Sequence, residues 1–357
     1  MVSEPLNLMA SVCVKLLGEN QGLSLVDRIG NVARRAIGKQ PVVYDYLFWP
    51  KGLLSLGLSE FINWEEGTRG LPSEFSTNIG GNALSALQAY FDKWLEKKGH
   101  SVKKIDDAVA GKALIKLFYL TGDTKYLKGI EAIYDYIAGL PSDIGGAFEY
   151  QSTKCVFADG AGQTAMFLSE YSRLMGDHEA YQLGMKQIRR YLDIASDYKS
   201  KLPYHAYRCI DNNTRVEKLG IVGWGRAVGW LLMGASQYPE LRDYAVPLFD
   251  LAAECQRSDG LIPWCLSTVE GPTDTSATAM IMYAAIESGY IDQTFLSKAK
   301  CGLMKSMDEM GRVQGAQAEC IGIGLYPQQY GHYSFGQGAA LAALSRYHIV
   351  GRDISHR

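Results

Sequence analysis

Two aspartates stand 53 residues apart, each where a run of small residues begins: Asp106 in Lys104-Ile105-Asp106-Asp107-Ala108-Val109-Ala110-Gly111-Lys112, and Asp159 in Val156-Phe157-Ala158-Asp159-Gly160-Ala161-Gly162-Gln163. Two carboxyl groups brought into one pocket can divide general acid and general base work. Asp is also a favoured helix cap, and on these residues alone capping explains both positions as well as chemistry does. Asp107, adjacent to Asp106, competes with it for either role.

Two further segments carry residues suited to an acidic sugar. His205 sits in Leu202-Pro203-Tyr204-His205-Ala206-Tyr207-Arg208, a polar loop in which a solvated imidazole is the plain reading. Gly223-Trp224-Gly225-Arg226-Ala227-Val228-Gly229-Trp230 opens a helix, and its glycines leave room for a ligand at Trp224 and Arg226. A guanidinium can fork onto a carboxylate while an indole stacks on a ring, so a uronic acid fits this pair as well as packing does. Trp230 reads as core by its place in the helix. Asp274, ahead of Thr275 and Ser276, reads as a cap. Tyr330 and His332 belong to an aromatic loop that forms a pocket wall or closes the fold.

These residues need a scaffold, and the chain reads as about a dozen helices of period near 3.6, from Leu6–Leu17 to Phe335–His348, with Leu23–Ile37 and Gln293–Met310 among them. No alternating Val/Ile/Thr run is long enough for a large sheet. Leu120-Thr121-Gly122-Asp123 and Leu174-Met175-Gly176-Asp177 lie 54 residues apart, each pairing a left-handed Gly after one helix with an Asp before the next. Tyr238-Pro239 and Ser288-Gly289 fall at comparable points. Longer loops, Trp64–Gly81, Pro141–Phe157, Lys201–Trp224, Ser258–Thr275 and Ala316–Ser334, hold the unusual residues. Short turns at one side and long loops at the other predict an all-α (α/α)6 barrel of six hairpins, a single domain over 1–357, with an open helical solenoid as the alternative.

Composition excludes several classes. With 36 Lys and Arg against 38 Asp and Glu, there is no basic footprint for nucleic acid. The 38 glycines against 11 prolines suit crowded helices with tight turns and no Pro-rich tract. Seven scattered cysteines without a C-x-x-C pair suggest neither a disulfide framework nor a zinc site. No segment reaches the roughly 18 apolar residues of a membrane span, and the N-terminus lacks a signal-peptide pattern, so a cytoplasmic protein is expected.

Taken in order, I-D-D-x-x-x-G-K with T-G-D, A-D-G at 158–160, W-G-R-A-x-G-W at 224–230, D-G-L-x-x-W at 259–264 feeding D-T-S-A-T-A-M at 274–280, and a final Y-S-x-G-x-G-A resemble glycoside hydrolase family 105 and its relative family 88, the unsaturated rhamnogalacturonyl and glucuronyl hydrolases. The likeness spans about residues 45–348. Phe157-Ala158 and Gly225 depart from it, where many relatives carry a Trp-containing stretch and W-A-R. The resemblance implies removal of a Δ4,5-unsaturated uronic acid from the non-reducing end of lyase-made oligosaccharides, most simply unsaturated galacturonyl-rhamnose, by hydration of the vinyl ether. Asp159 would be the acid and base, with Asp106 the second carboxylate that helps it keep a proton, or Asp107 if the register slips by one. His205, Arg226, Trp224 and Asp107, with Trp230, Tyr330 and His332, would meet substrate or water. The implied partner is a small oligosaccharide, with no metal or organic cofactor. A conventional two-carboxylate glycosidase, an epimerase or a non-catalytic helical scaffold are the alternatives.

Overall fold

A computed structural model describes residues 3–19, 46–67, 79–97, 100–150, 153–210, 215–290 and 292–355. In chain order the first half supplies helices α1 (Ser3–Gly18), α2 (Trp49–Glu66), α3 (Ile79–Lys97), α4 (Ala108–Thr121), α5 (Lys125–Ala138) and α6 (Ala158–Met175). The second half supplies α7 (His178–Ala195), α8 (Gly225–Ala235), α9 (Arg242–Glu254), α10 (Thr275–Glu287), α11 (Gln293–Lys305) and α12 (Ser334–Ser355). The predicted helix over 23–37 lies outside the described residues.

The even-numbered helices close a ring: α2 packs on α4, α4 on α6, α6 on α8, α8 on α10, α10 on α12, and α12 returns to α2. The odd-numbered helices lie outside it, and α1 closes the outer layer against α2, α3 and α12. This is the expected α/α barrel. The sequence sorts the layers physically. Every residue of α8 is buried, and α10 is buried from Thr275 to Ile286, as a helix surrounded by protein requires. Outer helix α5 buries Tyr126, Gly129, Ile130, Ile133 and Ile137, a single stripe.

Backbone contact sets how tightly the ring closes. A Cβ on Gly162 of α6 would lie 2.2 Å from the carbonyl oxygen of Trp230 on α8, and one on Gly338 of α12 would lie 2.4 Å from the backbone of Leu53 on α2. Gly122, Gly176 and Gly289 take φ of 67, 69 and 67°, ending α4, α6 and α10 with the left-handed turns that were expected.

The long connections enter the inner helices at the opposite end, with two corrections. Trp64–Gly81 is not one of them: it follows inner helix α2, so it leaves from the short-turn end, its first and last residues are helical, and 68–78 lie outside the described residues. Lys201–Trp224 is not an irregular loop either. It forms strands β2 (Tyr204–Ile210) and β3 (Arg215–Val222), and with β1 (Cys155–Phe157) they make an antiparallel sheet in the order β1-β2-β3. A smaller pair joins β4 (Ala316–Gln317) to β5 (Tyr330–Gly331). Helix α11 stops at Lys305, short of the expected Met310, because the chain turns back and pairs Met307 with Val313.

Gly338→Ala is expected to lower the denaturant-derived stability by about 1–3 kcal/mol, the usual cost of forcing atoms into a close-packed contact. Gly18→Ala, where a Cβ meets nothing within 4 Å, serves as the control. Equal stabilities for the two variants would contradict close packing at α2 and α12.

Candidate active site

At the end of the barrel where the long connections enter, Asp106, Asp159, His205, Trp224 and Arg226 line one cavity of about 210 Å³. Lys104, Tyr150, Gln163, Trp49 and the segment Glu319–Gly322 complete much of its wall. The volume lies below the roughly 300–1,000 Å³ of pockets for drug-sized ligands, which suits a single sugar ring.

Asp159 does not cap its helix. The cap residue of α6 is Phe157, in extended conformation and without a capping side-chain bond, and the Asp159 carboxylate instead meets His205 Nε2 at 3.1 Å. The small sheet explains this meeting. Phe157 of β1 pairs with Ala206 of β2, so the strand that feeds α6 delivers Asp159 beside His205. His205 is only 3% exposed, set edge-on to Phe157 and Trp224, with ring centroids 5.3 and 4.6 Å away. Its Nδ1 lies 2.9 Å from the Tyr326 hydroxyl, which also accepts the Ile221 N–H at 3.2 Å. Burial pushes the Tyr326 phenol up to about 12, so it keeps its proton at neutral pH. A solvated histidine in a loop was the plain expectation, and the structure gives a buried one in a strand.

Asp106 and Asp107 separate cleanly. Both lie in the 3₁₀ turn Ile105–Asp107 ahead of α4. Asp106 reaches the cavity and accepts a short, 2.5 Å bond from the Tyr150 hydroxyl. Burial, with Asp106 next in effect, raises the Tyr150 phenol far above its ordinary range, which keeps it a donor. Asp107 Oδ2 accepts the backbone N–H groups of Lys103 and Lys104 at 2.7 and 3.3 Å, so it is the capping carboxylate and sits behind the wall.

Arg226 is placed differently from the expectation that it would offer an open guanidinium. It is 2% exposed, its Nη1 donates to Asp274 at 3.2 Å and to the Gln317 carbonyl at 2.8 Å, and its Nη2 donates to the Ala318 carbonyl at 2.7 Å. Its charge is matched by the fully buried Asp274, which also caps α10 through the Ser276 N–H at 2.9 Å. The guanidinium lies 4.7 Å from the centroid of Trp224, covering part of the indole expected to stack on sugar. Trp224 itself donates to Gln317 Oε1 at 2.9 Å.

Trp230, Tyr330 and His332 do not line the cavity. Trp230 is 1% exposed in the core, Tyr330 donates to Gln328 at 2.8 Å, and His332 Nδ1 lies 3.2 Å from the Val313 carbonyl. Lys112, the last residue of the first motif, pairs with Glu170 at 3.4 Å inside the barrel. Lys104 is the contrasting cation: it lines the cavity, and among the described residues no carboxylate pairs with it. Sequence does not single out Tyr150, Gln163 or Tyr326, although Gln163 ends a quoted motif and Tyr150 and Tyr326 fall within two of the long loops. Trp49 carried no signal. Among the described residues no group of His, Cys, Asp and Glu is arranged to hold a metal, and no helix is long and apolar enough to cross a membrane.

The model of the family described as Glycosyl Hydrolase Family 88 matches residues 51–350, which takes in most of the inner ring and every cavity-lining residue named above except Trp49. The chain belongs to glycosyl hydrolase family 88. As a member of that family it is a glycoside hydrolase. It is 24% identical over 358 residues to the unsaturated rhamnogalacturonyl hydrolase YesR of Bacillus subtilis, covering 92% of this chain and 96% of that one. The fold is shared with a family 105 glycoside hydrolase of C. acetobutylicum, at a TM-score of 0.65 and 18% identity over 91% of this chain and 99% of the other. It is shared equally with the unsaturated glucuronyl hydrolase of Bacillus sp. GL1, at a TM-score of 0.70 and 14% identity over 97% and 95%. Family 88 membership and the α/α barrel thus agree with the ordered motifs.

Asp274→Ala would leave the Arg226 guanidinium buried without its counter-charge, and is expected to cost about 3–5 kcal/mol in chemical denaturation. A loss below about 1 kcal/mol, the scale of exposed ion pairs, would contradict a buried structural pair.

Proposed function

We propose that the protein removes a Δ4,5-unsaturated uronic acid from the non-reducing end of small oligosaccharides made by a polysaccharide lyase, with Asp159 as general acid and base. The observation that carries this reading is the meeting of Asp159, Asp106 and His205 in one single-ring cavity of a family 88 barrel. The likeness to an unsaturated rhamnogalacturonyl hydrolase favours rhamnose as the linked sugar and galacturonate as the ring removed.

The chemistry follows from the vinyl ether. Asp159 gives its proton to C4, and the positive charge that develops is shared between C5 and the ring oxygen. Water adds to C5 and returns a proton to Asp159. The resulting hemiketal opens to a C5 ketone, breaking the bond from C5 to the ring oxygen, and the hemiacetal left at C1 collapses to an aldehyde as the linked sugar departs. The glycosidic bond therefore breaks after hydration, and the spacing of two carboxylates carries no stereochemical message of the ordinary kind. Asp106, held by Tyr150, places negative charge beside the forming cation. With Arg226 committed to Asp274, the ammonium of Lys104, which no carboxylate among the described residues pairs with, is the counter-charge for the uronate carboxylate.

Asp159→Asn should lower kcat for an unsaturated galacturonyl-rhamnose disaccharide by about 10²–10⁴-fold or more, followed as loss of alkene absorbance, with helical circular dichroism unchanged. Near wild-type turnover by this variant, or turnover of saturated glycosides in place of unsaturated ones, would overturn the reading. Lys104→Gln should raise KM for the free acid about tenfold or more and leave KM for its methyl ester nearly unchanged, because the lost interaction needs the substrate's charge. Equal losses on acid and ester would remove Lys104 from carboxylate binding.

A further inference from the structure

Beside the candidate acid lies a group that the chemistry above does not use. Tyr326 comes from the long connection between α11 and α12, yet its hydroxyl reaches His205 on β2 and the backbone of Ile221 on β3. The notch that admits it is Gly220 on β3. This residue has φ of +81°, and a Cβ there would stand 2.6 Å from the Tyr326 hydroxyl and 2.8 Å from His205 Cβ. Any other side chain would thus be strained and would also evict the phenol.

The hydrogen-bond inventory then fixes a tautomer. The Tyr326 oxygen already accepts the Ile221 N–H, and it lies 2.9 Å from His205 Nδ1. A hydroxyl has one proton to give, and a neutral imidazole has one nitrogen that accepts and one that donates. If Tyr326 donates to Nδ1, the ring proton must sit on Nε2, which points at Asp159 Oδ2 from 3.1 Å. The opposite tautomer would set the Nε2 lone pair against a carboxylate oxygen and leave the phenol proton without this acceptor. One arrangement satisfies all three groups.

We infer that Tyr326 is a positioning residue: it holds His205 as the neutral Nε2–H tautomer, which pins Oδ2 of Asp159 and leaves Oδ1 as the oxygen that carries the proton into the cavity. This rests on the proposed role of Asp159. The pinned bond survives both protonation states, because Oδ2 accepts from Nε2–H whether or not Oδ1 holds a proton. Neutrality matters equally. An imidazolium beside Asp159 would favour the carboxylate and strip the acid of its proton at lower pH. Tyr150 from the connection before α6, Tyr191 of α7, Cys320 and Tyr326 itself all feel the Asp159 charge, and burial chiefly raises each of them, so they are neutral near pH 7; Asp106 and Lys104 face Asp159 across the same cavity. Arg226 also lines this wall, and its charge is balanced by Asp274.

The test is Tyr326→Phe, which keeps the ring and removes the donor. Without it Nδ1 is free to take a proton from solvent, so the alkaline limb of the kcat/KM profile should move down by about one pH unit, along with a loss in kcat at pH 7. A merely structural tyrosine would lower kcat and leave that limb in place, and this outcome would overturn the inference. Long-range ¹H–¹⁵N spectra of the wild type, with the His205 signals assigned from His205→Gln, provide a readout that needs no substrate. An unprotonated Nδ1 and a protonated Nε2 are expected, and a proton on Nδ1 would overturn the inference. Should the wild type turn over no unsaturated uronide, the proposed function fails, while the spectra still decide the tautomer.

Discussion

The structure depends on how closely the six inner helices approach one another. Gly162 against the Trp230 carbonyl and Gly338 against Leu53 bring neighbouring backbones into contact. Closure also orients the helices alternately, so that α4, α6, α8, α10 and α12 each begin at the same end. The residues that open those helices therefore converge there. Asp106 and Asp159 lie 53 residues apart in sequence and share one wall because each marks the start of an inner helix.

Charge is sorted along the barrel axis. Away from the cavity, Glu60 meets Lys116 and the Tyr283 hydroxyl, Lys112 pairs with Glu170, and the partly exposed Arg346 pairs with Glu287. These ions are mutually compensated, as buried charges must be to avoid a desolvation cost of several kcal/mol each. Lysines 112 and 116 balance glutamates there and do not reach the cavity. At the mouth the balance is left open: Asp106, Asp159 and Lys104 face the same space, and the buried Arg226–Asp274 pair braces Gln317 and Ala318 of the opposite wall. Since the chain carries a formal net charge of only -2, the molecule as a whole exerts little pull on an anion. Local donors at the mouth must select it.

The parts of this arrangement that sequence revealed were those governed by local rules. Helix period, the left-handed glycines at 122, 176 and 289, and the caps at Asp177 and Asp274 need only neighbours in the chain. The hairpin of β2 and β3 is not legible in the sequence because its alternation is diluted by Arg208, Glu217 and Lys218, whose side chains suit a half-exposed sheet. Only with that hairpin formed does Phe157 pair with Ala206, which turns His205 from a loop residue into the partner of Asp159. Arg226 was legible as an unusual residue at a helix start. Its commitment to Asp274, 48 residues on, is tertiary and could not be read locally. The choice between Asp106 and Asp107 likewise turns on one 3₁₀ turn, in which Asp107 satisfies two backbone donors and its neighbour is released to the cavity.

The account rests on hydration of the sugar's double bond coming before release of the linked sugar. The direct measurement is a single-turnover time course, with enzyme in excess over an unsaturated galacturonyl-rhamnose disaccharide, that records alkene absorbance and free rhamnose together. The account predicts that the alkene disappears before or together with rhamnose release at every time point. Rhamnose released ahead of alkene loss would mean that the glycosidic bond is attacked first, and would contradict it.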